Sequence, residues 1–384
     1  MVAPLAHGLG TERVCPDWPV LTAEEIAALL ADYPGAAPAG AILFQSPRPF
    51  SAAALGGSGI GPLFVKRHHR AVRDLPGLFE EHRFIAHLRA AGLAVPEVLA
   101  NAGGATATAR GDWVYEVHRP VRGEDLYRDA LSWTPFLSAD HARAAGRALA
   151  RLHLAAAGYD APARPVRPLV SSFSIFAAPD PGPVLDRYVA ARPDLARYLD
   201  GRPGWRQALL EPLAPWHARL RPFLRGLSPL WTHNDWHASN LTWAADGREV
   251  AEILDFGLAD RTTALFDLAT AIERNGILWL ALPERAGDPG IVETGQIDAL
   301  LAGYHALRPL SPCDLDALAA LLPLVHVEFA LSETDYFFGV TRSAENASVA
   351  FDTYLLGHAA WFATAPGRAL LDRIARWRGG DVSA

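Results

Sequence analysis

The apolar pattern of this chain changes character once, near residues 118–124, and that change constrains the fold more than any other feature. Before it, short runs dominate: "GAILFQS" (40–46), "GPLFVKRHH" (61–69), "AVPEVLA" (94–100), "ATATA" (105–109) and "WVYEV" (113–117). Such runs, bounded by glycine, proline and polar clusters, read as strands. One helix interrupts them at 74–92, with Asp74 and Pro76 at its start, Leu78, Ile85 and Leu88 on one side, and Gly92 at its end. Another precedes them, where Thr22 and Glu25 form a capping box ahead of Ile26, Leu29 and Leu30. After residue 124 the spacing becomes helical at 138–158, and then near 185–200, 205–226, 264–275, 296–307, 312–336, 343–364 and 366–378. The expected fold is α+β with two lobes. Residues 1–118 would hold a small antiparallel sheet lobe with one inserted helix, and 119–384 a large, mostly helical lobe.

Composition narrows the function. Half of the 384 residues are apolar, enough for a sizeable core. The net charge of −7, without a basic patch, argues against nucleic acid as a partner. Two cysteines, Cys15 and Cys313, cannot build a disulfide framework or a zinc ribbon, and they fit a reducing compartment. The first residues lack a basic segment followed by an apolar run, and no stretch approaches 18 uninterrupted apolar residues. A cytoplasmic protein that does not span a membrane is therefore expected. Lys66 is the only lysine among 35 basic residues, and a compact ammonium is not interchangeable with a planar guanidinium.

The exception to helical spacing is the stretch 231–255, which opens with "WTHNDWHASNLTW". Its polar groups sit among apolar ones, where each must find a partner or serve chemistry. "LTW" (241–243) and "VAEIL" (250–254) read as two strands joined by a turn at Asp246-Gly247. Such a hairpin brings Asn240 and Asp255 together at its open end, with Asp235 on the loop leading in. Asn240 and Asp255 are hard oxygen ligands suited to Mg²⁺, and Asp235 suits a base for a hydroxyl nucleophile. Lys66, on its strand, can supply a cation to phosphate oxygens, held by Glu81 on the following helix or by its neighbour Glu80. A zinc helix is not indicated by His233 and His237, because Asn234 stands where that motif needs glutamate. His153 reads as a satisfied core histidine, and Trp231 and Trp243 as core.

"HNDWHASN" fits H-x-D-x-x-x-x-N, and "ILDFGLAD" fits a metal-binding aspartate segment. With "FVKRHH", "EEHRFIAHL" and "AGLAVPEVL" in order, the chain resembles the aminoglycoside phosphotransferase and choline kinase superfamily over roughly residues 40 to 275. The homoserine kinase type II and bacterial stress-kinase branch is the most similar in detail. The resemblance implies a protein-kinase-like fold and an ATP- and Mg²⁺-dependent kinase of a small hydroxyl-bearing molecule. It implies Asp235 as base, Asn240 and Asp255 as metal ligands, and Lys66 with Glu81 on the phosphate side. It further implies that His233 orients the catalytic loop and that Asp267 braces it. Asp267 also reads as a helix N-cap. "VYEVHRPVRGEDL" resembles the hinge, so backbone groups of Glu116 and His118 are expected to meet adenine.

The chain departs from protein kinases in lacking H-R-D, A-P-E and G-x-G-x-x-G. "GGSGIG" (56–61) is expected to make the turn before Lys66, and "SPRPFS" (46–51), through Ser46 and Ser51, to form the nucleotide loop. A small-molecule acceptor is thus favoured over a protein. The alternatives are a pseudokinase or nucleotide-binding regulator, and a protein Ser/Thr kinase. Trp236, beside Asp235, is a candidate substrate contact. Glu328 and Asp335, seven apart on the helix "LPLVHVEFALSETDYFFG" (322–339), are candidate contacts for an amine-bearing acceptor.

Overall fold

A computed structural model describes residues 17–46 and 50–379. Helix α1 (Ala23–Leu30) begins at the expected capping box of Thr22 and Glu25. A five-stranded antiparallel sheet follows, built from β1 (Ile42–Gln45), β2 (Ala52–Gly56), β3 (Leu63–His69), β4 (Ala107–Arg110) and β5 (Trp113–His118) in the order β1-β2-β3-β5-β4. Helix α2 (Leu75–Ala90) is inserted between β3 and β4, capped by Asp74. Residues 57–62, within the glycine-rich run, turn the chain from β2 into β3. The expected strand at 94–100 contributes only one bridge, Val98 to His118.

The two-residue period of β3 decides what reaches the cleft. Leu63, Val65 and Arg67 face α1, where Leu63 and Val65 join Ile26, Leu29, Leu30, Ala54 and Val117 in a compact core. Arg67 pairs at 2.8 Å with Glu25 of α1. Lys66 and His68 alternate to the opposite face, beside α2 and Glu116.

The rest is chiefly helical: α3 (Ala139–Ala155), α4 (Pro181–Ala190), α5 (Pro193–Asp200), α6 (Trp205–Leu220), α7 (Ala264–Gly276), α8 (Leu282–Arg285), α9 (Thr294–His305), α10 (Pro312–Leu321), α11 (Val327–Asp335), α12 (Ala344–Ser348), α13 (His358–Trp361) and α14 (Ala365–Ala375). Several expected helices are divided. Pro193 starts a new helix inside 185–200, its fixed φ and missing N–H suiting a first turn. The 205–226 helix tightens to 3₁₀ at Arg221, where Pro222 follows. The 312–336 segment breaks between α10 and α11, and π-helical turns occupy Tyr336–Val340 and Val349–Gly357. No helix among the described residues is long and apolar enough to cross a membrane.

Two short strands were expected in the central stretch, and four are present. β7 (Leu241–Trp243) and β8 (Val250–Ile253) form the expected hairpin. β6 (Pro229–Thr232) and β9 (Asp260–Thr263) form a second antiparallel pair that sequence patterning did not reveal. β6 leads into the loop carrying Asp235, and β9 leaves the segment carrying Asp255. Their pairing anchors both at one base.

Candidate active site

The hairpin does what its turn implies. Leu254 N donates to Asn240 O at 2.8 Å, so Asn240 and Asp255 stand side by side at its open end. Asp235 joins them, its Oδ2 accepting from Asn240 Nδ2 at 3.0 Å. Lys66 reaches in from β3, with Nζ 3.1 Å from Asp255 Oδ1. Asp235, Asn240, Asp255 and Lys66 all line one cleft, together with Ser51, His237, Trp133 and Phe329. The donor set suits a hard cation. Asn240 commits its amide nitrogen to Asp235, so what it has left to offer is oxygen, and Asp255 contributes a carboxylate.

The loop holding Asp235 is fixed from below. Asp267 accepts from the backbone N–H of His233 at 2.9 Å and of Asn234 at 2.8 Å, and from His153 Nε2 at 2.9 Å. Asp267 therefore braces the loop, but it does not cap α7. Thr263 does so, accepting from Phe266 N, and Asp267 lies within the first turn. His153 is a satisfied core histidine, with Tyr304 on its other nitrogen. His233 Nε2 meets Leu254 O at 2.8 Å and Nδ1 accepts from Asp235 N at 3.2 Å, tying the loop to the hairpin.

Two residues essential to this geometry escaped sequence reasoning. Asn234 has φ 60°, a left-handed conformation that asparagine tolerates better than most residues. Its amide bridges Thr232, Thr262, Leu258 O and Ser171 O. Arg274 makes a short ion pair with Asp235. Its guanidinium also stacks on Trp133 at 4.5 Å and Phe329 at 4.9 Å. The available signal was its place seven residues after Asp267, on the same face of α7. Burial pushes the Asp235 carboxyl up, but Arg274 and His237 outweigh it and hold it well below the ordinary carboxylate range. Left-handed backbone also gathers here. Trp133, Leu169 and Asp255 have φ 61°, 50° and 54°, and all three line the cleft. Strain of this kind persists where surrounding structure imposes it, commonly at functional sites.

Several expected positions lie elsewhere. Glu81 does not pair with Lys66. It is buried, with Oε2 3.8 Å from both Arg73 Nε and Arg164 Nη2, while Glu80 pairs with Arg167 at 3.3 Å. Glu116 cannot offer its backbone to adenine, because its strand is flanked by β3 and β4. Its carboxylate instead meets His68, His82 and His118 at 2.9, 2.8 and 2.7 Å. Burial raises that carboxyl, but the imidazoles, led by His118, bring it well below its usual range. His118 is likewise committed, paired opposite Phe64. Ser46 donates its N–H to Ala53 O at the start of the 46–51 loop, Ser51 lines the cleft, and residues 47–49 lie outside the described residues.

Trp236 is fully buried against His233 and does not line the cleft. The carboxylate of Glu328 is saturated by Ser172, Ser174 and Ile175, so it shapes the 172–175 loop from within. Asp335 accepts from Leu195 N at 2.9 Å, at the start of α5. Neither is placed to meet an acceptor, because a helix face that looks polar in sequence is here buried and turned toward other backbone.

Burial pushes the Lys66 ammonium down, but Asp255, followed by Glu116 and Glu81, pulls it up further, to a net value above that of an ordinary lysine. Amine-directed acylation near neutral pH should therefore leave Lys66 largely unmodified, as read by peptide mapping. Modification within minutes would show an exposed, unpaired amine.

The chain is similar to known proteins in sequence and in fold. A homoserine kinase from Gluconobacter oxydans (strain 621H) is 28% identical over 187 residues, 49% of this chain and 51% of that one. The chain thus spans about half the length of the curated relative it matches. Among solved structures, a microcompartment-associated aminopropanol kinase superposes with a TM-score of 0.58 at 18% identity, covering 94% of this chain and 100% of that one. An amicoumacin kinase in complex with AMP-PNP, Ca²⁺ and its ligand gives a TM-score of 0.56 at 15% identity, covering 90% and 95%. These likenesses establish the fold. The phosphotransferase enzyme family matches residues 44–310, well over half of the chain and including Lys66, the Asp235 loop and Asp255, and this protein belongs to that family.

Proposed function

We propose that this chain is an ATP- and Mg²⁺-dependent kinase that moves the γ-phosphoryl group to a hydroxyl of a small, amine-bearing metabolite. The observation that carries the reading is the convergence of Asp235, Asn240, Asp255 and Lys66 on one cleft from three separate segments. Asn240 and Asp255 would hold a divalent cation, which when bound neutralises charge on the phosphate oxygens. Lys66 adds a cation from the sheet side. Asp235 accepts the acceptor's hydroxyl as a hydrogen-bond donor and aims its oxygen at phosphorus. Because Arg274 and His237 keep this carboxylate weakly basic, it orients the nucleophile first and takes its proton late. Adenine would lie along residues 119–123, where the chain leaves the sheet after β5.

The amine finds support in Glu333 rather than in Glu328 or Asp335. Glu333 lies one helical turn beyond the cleft residue Phe329 on α11, almost wholly buried, and its Oε1 has no hydrogen-bond partner. Burial, opposed by Arg274 and reinforced by Asp17 and Asp235, pushes its carboxyl up to about 8. An ammonium group would stabilise its ionised form. The names of the homoserine and aminopropanol kinases, both acting on amino alcohols in the broad sense, point the same way.

The test is an ATP-consumption screen with Mg²⁺ over amino alcohols, hydroxy amino acids, aminoglycosides and nucleosides. Turnover on none of these classes counts against the reading. For an amine found this way, KM should fall as pH rises from 6 towards 8, because Glu333 ionises over that window. Glu333→Gln should abolish this pH dependence and raise the amine KM roughly ten- to a hundredfold, with the ATP KM unchanged. An unaltered amine KM in that variant would remove Glu333 from the acceptor site.

A further inference from the structure

Arg73 stands between β3 and α2, 5% exposed, and lines the cleft beside Lys66, Asp255 and Gly257. Its Nη2 donates to Gly257 O at 2.6 Å, on the segment that follows Asp255. Its Nε and Nη1 have no hydrogen-bond partner, and Glu81 Oε2, at 3.8 Å from Nε, is too distant to accept. The same Glu81 oxygen is shared with Arg164, which donates to Gly257 O at 3.2 Å and Phe256 O at 3.4 Å. Arg167 packs nearby, on Glu80 and Asp74. Three guanidinium groups thus share a corner with Asp74, Glu80 and Glu81, yet none of these carboxylates comes within hydrogen-bond reach of Arg73. Burial, partly offset by Glu81 and reinforced by Arg73 and Arg167, brings Arg164 down to about 10. Buried charged donors without acceptors are costly, so this corner favours an anion.

We propose that Arg73 is a second cation on the transferred phosphoryl group, with Glu81 and Arg164 as the residues that position it. The inference rests on the kinase reading above. In the step it assists, the acceptor's hydroxyl oxygen forms a bond to the γ-phosphorus. The bond from that phosphorus to the β–γ bridging oxygen breaks, its electron pair leaves on ADP, and the hydroxyl proton passes to Asp235. Arg73 donates from its unpartnered guanidinium nitrogens to non-bridging oxygens of the moving group, while Asn240 and Asp255 would hold the cation. Glu81, which in the resemblance would hold Lys66, here holds Arg73 and Arg164 against the Phe256–Gly257 backbone.

The experiment compares AMP-PNP with ADP by titration calorimetry, in Mg²⁺ and separately in EDTA, for the wild-type chain, Arg73→Gln and Arg73→Lys. Arg73→Gln should weaken AMP-PNP by roughly tenfold or more while leaving ADP within about twofold, in both conditions, because a charge-assisted contact to the γ-phosphate is lost. Its kcat on an identified acceptor should fall about a hundredfold or more, as for other cations on a transferring phosphoryl group. Arg73→Lys keeps the charge and should recover part of the selective loss. If the glutamine variant does not fold, the lysine variant decides alone, through a smaller but still AMP-PNP-selective weakening. Equal weakening of both nucleotides, or none, overturns the assignment, since an arginine that merely holds the Gly257 loop does not distinguish a γ-phosphate. If the wild-type chain binds neither nucleotide, the kinase reading fails with it. If the wild-type chain binds both and only the selectivity is missing, the kinase reading stands and the role of Arg73 falls.

Discussion

Asp235→Asn should lower kcat by roughly two to four orders of magnitude, the range expected when a positioned carboxylate is lost from proton transfer. Nucleotide affinity should change little, because in the proposed mechanism Asp235 serves the acceptor, whereas Lys66 and Asp255, which pair with each other, serve the phosphates. The amide is close to isosteric, but it can no longer balance the Arg274 guanidinium, which is buried against Asp235 between Trp133 and Phe329. A modest loss of stability should accompany the kinetic effect. Steady-state kinetics on the acceptor found in the screen, with ADP binding as a control for fold, separate the two. Wild-type turnover in this variant would mean that Asp235 neither orients nor deprotonates the nucleophile.

Asp267→Ala should destabilise the chain by roughly 3–5 kcal/mol, because three buried donors lose their acceptor at about 1–3 kcal/mol each. Asp267 is fully buried and holds three donors at once, His233 N, Asn234 N and His153 Nε2. Without it, two backbone N–H groups and an imidazole lose their acceptor in a place that water does not reach. Because the first two belong to the loop carrying Asp235, activity should fall before global unfolding sets in. Burial raises the Asp267 carboxyl, but His153 and His233 outweigh it, and the net shift is downward. A carboxyl depressed in the folded state contributes stability above its unfolded value, and that contribution is lost as pH falls through the folded one. Acid should therefore destabilise wild type more than an Asp267→Asn variant. Urea denaturation at pH 7 and pH 4 reads both effects. A loss below about 1 kcal/mol for the alanine variant would show that the brace is dispensable.

The parts legible in sequence were those governed by local rules. The capping box at Thr22 and Glu25, the alternation that sends Lys66 to the cleft side of β3, and the Asp246-Gly247 turn each depend on neighbours a few residues away. The hairpin alone brought Asn240 beside Asp255, which is why the centre of the site could be anticipated without a structure. The divided helices failed for a related reason. Helical periodicity continues across Arg192 and Leu322–His326, while proline and packing interrupt the backbone there.

What only the tertiary structure decided is which partner each charge takes. Glu81 could face Lys66 by helical spacing, yet Arg73 and Arg164, which lie on different segments, hold it instead. Glu328 and Asp335 share a helix face, yet backbone and serine donors from 172–175 saturate Glu328, and Leu195 N donates to Asp335. Arg274 appears in sequence as an ordinary end-of-helix basic residue, and only folding sets it between Trp133, Phe329 and Asp235. The composition of the cleft and the order of its elements follow from periods of two and 3.6 residues, which are properties of a single strand or helix. The pairing of buried charges follows from desolvation, which makes each ion take whichever counter-charge the packed chain brings within about 4 Å, and sequence spacing carries no record of that distance.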